Sequence, residues 1–235
     1  MRSGLENMRA AIFDLDGTLL DSMNVWRKID VDFLGKRGFQ VPRDYLEAIT
    51  PLGTMAAADY TIRRFGLQEK PAEIIEEWLS MARDAYANTV PLKPFVKEYL
   101  GQIKRLGIPV AAATSSEREL VIPALKRNGI YEYFDVIVTV SQVKRGKGFP
   151  DIYEKAAFEL NRKPETCVVY EDIIEGIRGA NQGGFFSVGV YDPESEFSRE
   201  AIIREAALYI QGFEELMKQH KEKFVFYDEG PGQQP

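Results

Sequence analysis

Apolar positions along the chain fall into two rhythms. Short continuous runs end abruptly in polar or acidic residues and predict buried strands at 10–13, 108–113, 136–140, 166–170 and 185–190, with a brief one at 209–210. Longer stretches with apolar residues at helical spacing predict helices at 22–36, 95–106, 117–128, 151–160 and 173–182, and one on each side of the last strand. Ser22 stands where the first helix would be N-capped, and Gly38, Gly107, Gly129 and the Gly183-Gly184 pair stand at helix ends.

Strands alternating with helices of about ten to fifteen residues predict an α/β fold built on a doubly wound, mainly parallel sheet. One block breaks the alternation. Residues 42–90 read as helical throughout, punctuated by Pro42, Pro51 and Pro71, with Trp78, Met81, Ala82 and Ala85 at helical spacing in the last segment. The predicted organisation is a Rossmann-like core at 8–21 and 91–220, an inserted all-helical cap at 22–90, and a patternless tail at 221–235 that is read as frayed.

Composition narrows the chemistry more than the fold. The 235 residues contain one cysteine, Cys167, and one histidine, His220, so internal disulfides, multi-cysteine zinc sites and nucleophile–histidine triads are excluded or nearly so. Thirty Lys and Arg against 36 Asp and Glu leave a formal charge of −6, which disfavours nucleic acid and anionic membrane as partners. The first eight residues lack an apolar core and a small-residue cleavage pattern, and no apolar run is long enough to span a bilayer. A cytoplasmic monomer is the resulting expectation.

In an open α/β sheet, ligands bind beyond the carboxyl ends of the strands. Those ends carry Asp14-Leu15-Asp16-Gly17-Thr18, then Thr114-Ser115-Ser116, then Lys144, Arg145 and Lys147, then Glu171-Asp172. Carboxylates brought so close repel unless a cation sits among them or one holds a proton. An oxygen-only cluster suits Mg²⁺, which accepts few carboxylates together with a substrate phosphate. Gly17 would let the chain turn so that main-chain N–H groups face an anion. Thr114 and Ser115 would donate to phosphate oxygens, and Lys147 would offset charge developing during transfer.

Plainer readings compete with each motif. Asp16-Gly17 is a common turn pair, and a calcium loop counted from Asp14 fails because its sixth and twelfth positions hold Leu19 and Val25. The Thr114 to Glu117 stretch could cap the next helix. Lys144 to Lys147 alone would be a solvated basic loop. Gly176, Gly179 and Gly183 read as close helix-to-sheet packing, and Trp26, Tyr60, Trp78 and Tyr86 as cap core, with Trp26 able to face the crevice. Cys167 reads as a buried, inert thiol and His220 as a surface residue.

Taken in order, Phe13-Asp14-Leu15-Asp16-Gly17-Thr18-Leu19-Leu20-Asp21-Ser22, Ala113-Thr114-Ser115-Ser116, Lys147-Gly148-Phe149-Pro150-Asp151-Ile152-Tyr153 and Tyr170-Glu171-Asp172 with Gly176-Ile177-Arg178-Gly179-Ala180 resemble the haloacid dehalogenase-like hydrolase superfamily. The resemblance spans about residues 10–212 and points to the branch of phosphatases and phosphoglucomutase-like proteins with a helical cap after the first strand. It implies Asp14 as nucleophile, forming an aspartyl-phosphate, and Asp16 as acid and then base. It further implies Thr114, Ser115 and Lys147 as phosphate-binding residues. Asp14, Asp172 and the main-chain carbonyl of Asp16 would ligate Mg²⁺, with Glu171 ligating it or orienting its water.

Departures from the family pattern bear on substrate. Glucose-phosphate mutases of the family place a histidine about ten residues after the second Asp; here Trp26 stands there. They also place an arginine after a cap glycine, whereas Pro51-Leu52-Gly53-Thr54-Met55-Ala56-Ala57 has no positive charge. Lys28 and Lys36 lie in the region of the Schiff-base lysine of related phosphonate-cleaving enzymes, without a clear candidate. Gly148-Phe149 replaces the more usual proline after the motif lysine. The expectation is an Mg²⁺-dependent phosphatase of a small phosphorylated metabolite. A sugar-phosphate mutase and a non-catalytic phosphometabolite-binding protein are the alternatives.

Overall fold

The strand β1 (Ala10–Phe13) is buried at every position, and its residues divide by parity between two cores. Ala11 and Phe13 face one side of the sheet, Ala10 and Ile12 the other, as the two-residue period of a strand requires. A strand covered on both faces must be apolar throughout, which is why the sequence shows a continuous run here. The computed structural model describes residues 5, 7–49 and 54–221. The Pro51-Leu52-Gly53 stretch and residues 222–235 of the tail lie outside the described residues, as does the side chain of His220.

Six strands form one parallel sheet in the order β3-β2-β1-β4-β5-β6: β2 (Val110–Thr114), β3 (Val136–Thr139), β4 (Cys167–Glu171), β5 (Phe186–Val190) and β6 (Leu208–Ile210) flank β1. The order reverses at β1, which lies between β2 and β4; that is the topological switch point of a doubly wound sheet. The predicted fold class is thus the observed one.

Between β1 and β2 the chain makes α1 (Met23–Lys36), α2 (Arg43–Ile49), α3 (Thr54–Phe65), α4 (Pro71–Asn88) and α5 (Val96–Arg105). The remaining helices are α6 (Arg118–Arg127), α7 (Asp151–Glu159), α8 (Ile174–Gln182), α9 (Arg199–Glu205) and α10 (Glu214–Lys221). Helices α1 to α4 lie within 22–90, the stretch that the sequence predicts as an insertion. Its entry and exit are laced together: Asp21 N–H donates to Pro91 C=O and Lys93 N–H to Leu19 C=O.

Small boundary shifts matter for the site. The second strand begins at Val110, not at 108, because Pro109 has no N–H for the ladder, and it runs on to include Thr114, paired with Thr139. The fourth strand likewise runs on to Glu171, opposite Gly189. Thr114 and Glu171 are therefore held by the sheet itself rather than by loops.

Candidate active site

Asp14 follows directly on β1, its N–H still donating to Tyr170 C=O at 3.0 Å, so the carboxylate stands rigidly at the sheet edge. The chain then turns at Gly17, whose φ is 80°. The Gly17 N–H itself goes to Leu20 C=O at 3.0 Å. The glycine also serves close approach, because a Cβ there would collide with the Asp172 carboxylate.

Lys147 lies on the loop after β3, is buried, and pairs with both Asp14 and Glu171, the latter at 2.6 Å. Of the basic cluster only this residue turns inward among the described contacts; Arg145 pairs with Asp151 at 2.6 Å on the exposed rim. Gly179 of α8 sits where a Cβ would strike the backbone carbonyls of Lys147 and Phe149, and a Cβ at Gly176 would strike the Glu171 carboxyl. These glycines do bring the helix close, as the sequence reading has it, and what they press against is the site. Tyr153 Oη donates to Glu171 Oε1 at 2.8 Å. The other oxygen, Oε2, is buried without a hydrogen-bond partner among the described residues.

Asp172 completes the cluster. Thr18 Oγ1 lies 3.0 Å from Asp172 Oδ1 and 3.1 Å from Asp14 Oδ2, and its one proton can serve only one carboxylate at a time. Ser195, from the loop after β5, donates to Asp172 Oδ2 at 3.3 Å. Beside it the buried Asp192 pairs with the part-buried Lys93 at 2.8 Å. A fifth strand end thus contributes to the site, which the sequence reading does not foresee.

Electrostatics follow from three carboxylates and one ammonium removed from water. Burial raises Asp14 well above the usual carboxylate range, Lys147 opposing and Glu171, Asp172 and Asp16 reinforcing the rise. Burial and then Glu171 push Asp172 up to about 7. Burial pulls Lys147 down, but Asp14 and Glu171 outweigh it and hold the ammonium above its ordinary value. The cluster is short of positive charge. Asp14, Glu171 and Asp172 each bring a carboxylate oxygen within 4.8 Å of the others, and these hard donors, one of them orphaned, fit a divalent cation such as Mg²⁺.

Asp16 points elsewhere. Its Oδ1 accepts from Ser22 Oγ at 2.7 Å and Tyr86 Oη at 2.5 Å, and its Oδ2 from Ser116 Oγ at 2.7 Å. Ser22 therefore spends its hydroxyl on Asp16 and makes no side-chain cap on α1. Ser116 N–H donates to Thr114 Oγ1 at 3.0 Å, while Glu117, at the N-cap of α6, makes no side-chain cap either. Thr114 is fully buried, and among the described residues its hydroxyl proton has no acceptor, whereas Ser115 is exposed. Tyr86 and Trp78 are buried as predicted, but the Tyr86 phenol reaches out to Asp16. Trp26 itself is 37% exposed, so it is not core.

The remaining candidates resolve simply. Cys167 is buried, its thiol pushed up to about 11 by burial, and is inert. Lys28 pairs with Asp32 and Lys36 with Glu77 on exposed surface. No helix among the described residues is long and apolar enough to cross a membrane. Thr18, Ser22, Tyr86, Ser116, Tyr153 and Ser195 are the site contacts that the sequence reading does not assign. Thr18, Ser22, Ser116 and Tyr153 lie within quoted motifs and were within reach; Tyr86 and Ser195 carry no local signal.

The model of the haloacid dehalogenase-like hydrolases matches residues 8–184. The fructose-1-phosphate phosphatase YqaB of Escherichia coli is 30% identical over 188 residues, 79% of this chain and 97% of its own. The crystal structure of a mutant CbbY from Rhodobacter sphaeroides, in complex with xylulose-(1,5)bisphosphate, covers 89% of this chain and 96% of its own at a TM-score of 0.72 and 26% identity. A beta-phosphoglucomutase from Clostridium difficile shares the fold, with a TM-score of 0.67 and 24% identity over 93% of this chain and 99% of its own.

Proposed function

This chain belongs to the phosphatase branch of the haloacid dehalogenase-like hydrolases, and on that premise we propose that it hydrolyses a small phosphomonoester, a sugar phosphate or similar metabolite, through an aspartyl-phosphate on Asp14. The observation that carries the reading is the Asp14–Lys147–Glu171 arrangement: a buried carboxylate at the strand end, faced by a buried ammonium and backed by an orphaned carboxylate oxygen.

Mg²⁺ is the proposed cofactor, held by Asp14, Asp172 and the Asp16 main-chain carbonyl, with Glu171 binding directly or through a water. Bound there, the ion would neutralise the acidic cluster and draw charge from the phosphoryl oxygens. The chain's own residues supply the rest. Asp14 attacks phosphorus, and the bond from phosphorus to the leaving oxygen breaks. Asp16 delivers its proton to that oxygen, so the product departs as an alcohol. A water then attacks the phosphorylated Asp14, Asp16 takes the water's proton, and inorganic phosphate leaves with both residues restored. Lys147 and the Thr114 hydroxyl hold the transferring group, and Ser115 assists at the mouth.

The helical insertion is proposed as a cap domain over a core of 8–21 and 91–220, excluding water while the intermediate exists. A phosphate-release screen over sugar phosphates and short phosphorylated acids, with and without Mg²⁺, tests the reading. Metal-dependent release of free phosphate supports it. Isomerised phosphate would instead establish a mutase, and tight binding without turnover a binding protein.

A further inference from the structure

We infer that Tyr86 is a positioning residue for proton transfer at Asp16, and that through it the helical insertion sets the aim of the acid. The inference rests on the proposed acid–base role of Asp16. Tyr86 lies on α4, its ring is fully buried in the main core, and its Oη meets Asp16 Oδ1 at 2.5 Å. A phenol has a single proton and a carboxylate only accepts, so the Tyr86 proton is directed at Asp16.

The other two donors differ in kind. Ser116 carries a short rotatable hydroxyl just after β2, and Ser22 one at the N-cap of α1, the first residue of the insertion. The Tyr86 hydroxyl moves only if the ring or α4 moves, and α4 packs against α6. A carboxylate tied to both bodies has a direction fixed by how the insertion sits on the sheet. A phenol that merely needed a buried partner could be satisfied anywhere; this one ends on the proposed proton donor.

Leaving-group dependence separates aiming from structure. An alkoxide needs a proton as it departs, while p-nitrophenolate is a stable anion that hardly does. For Tyr86→Phe, kcat/KM on β-glycerophosphate should fall about tenfold, and on p-nitrophenyl phosphate by less than about twofold. Asp16→Asn serves as the reference and should show this selectivity most strongly. If Asp16→Asn is selective but Tyr86→Phe lowers the two substrates equally, or neither, the Tyr86 inference is overturned and the role of Asp16 stands. If Asp16→Asn is itself unselective, the acid role falls and the inference with it.

Discussion

Lys147 Nζ stands 2.6 Å from Glu171 Oε1, while the second oxygen of the same carboxylate, equally enclosed, has no hydrogen-bond partner among the described residues. A buried carboxylate with one unsatisfied oxygen is an incomplete site, because the lost hydration is only half replaced. A cation bound to the folded state alone would complete it.

Magnesium should accordingly raise thermal stability. At tenfold its Kd the gain is about 1.4 kcal/mol, or about 3–5 °C for a chain of this size. Melting curves in Mg²⁺ and in chelator measure this, and Asp172→Asn should lose most of the shift. A shift retained in full by that variant would place the ion elsewhere.

Asp14→Asn removes the proposed nucleophile and one of three mutually repelling carboxylates. Turnover should drop by at least about 10³-fold in a phosphate-release assay. The circular dichroism spectrum should be unchanged, since Lys147 keeps Glu171 as its partner. Full activity in this variant would refute the mechanism.

Gly179→Ala would drive a methyl group into the carbonyls of Lys147 and Phe149. The overpacking should cost about 1–3 kcal/mol and reduce kcat by shifting the Lys147 loop. Gly101→Ala is the control: its Cβ would meet nothing nearer than 3.6 Å, and it lies inside α5. That change should instead stabilise by about 0.5–1 kcal/mol without altering activity, as urea titration and initial rates would show.

Asp30, on α1, titrates at about 6 because burial raises it more than the Tyr45 hydrogen bond lowers it. A carboxyl raised in the folded state contributes stability that is complete below its unfolded value of about 3.9 and is lost as pH climbs through about 6. Asp30→Asn should therefore match the parent near pH 4 and exceed it by about 3 kcal/mol at pH 8. Urea titrations at the two pH values measure the difference; a constant offset would mean that the charge is not the cause.

Much of this protein is legible along the chain, and the reason is local. Fully buried strands are apolar along their length, as in Ala10–Phe13, and the residues proposed to do the chemistry stand at or just after their carboxyl ends. Asp14, Glu171 and Asp172 could be placed at one edge because parallel strands share a direction, so their carboxyl ends share a side of the sheet. The insertion showed as a break in the strand–helix alternation. Local signals misled where two partners competed for one group: Ser22 has the position of a helix cap, yet a carboxylate six residues back takes its hydroxyl.

What the chain alone specified was which side chains stand at the strand ends, and with them the family. Tertiary packing decided which ones touch. Tyr86 and Asp16 are separated by 70 positions, and Lys147 and Asp14 by 133. No periodicity spans such distances, since side-chain periods report only the face a residue takes on its own element. Whether two faces meet depends on how the elements dock. Docking turned a core tyrosine into a contact of the proposed acid and a loop lysine into the counterion of the proposed nucleophile.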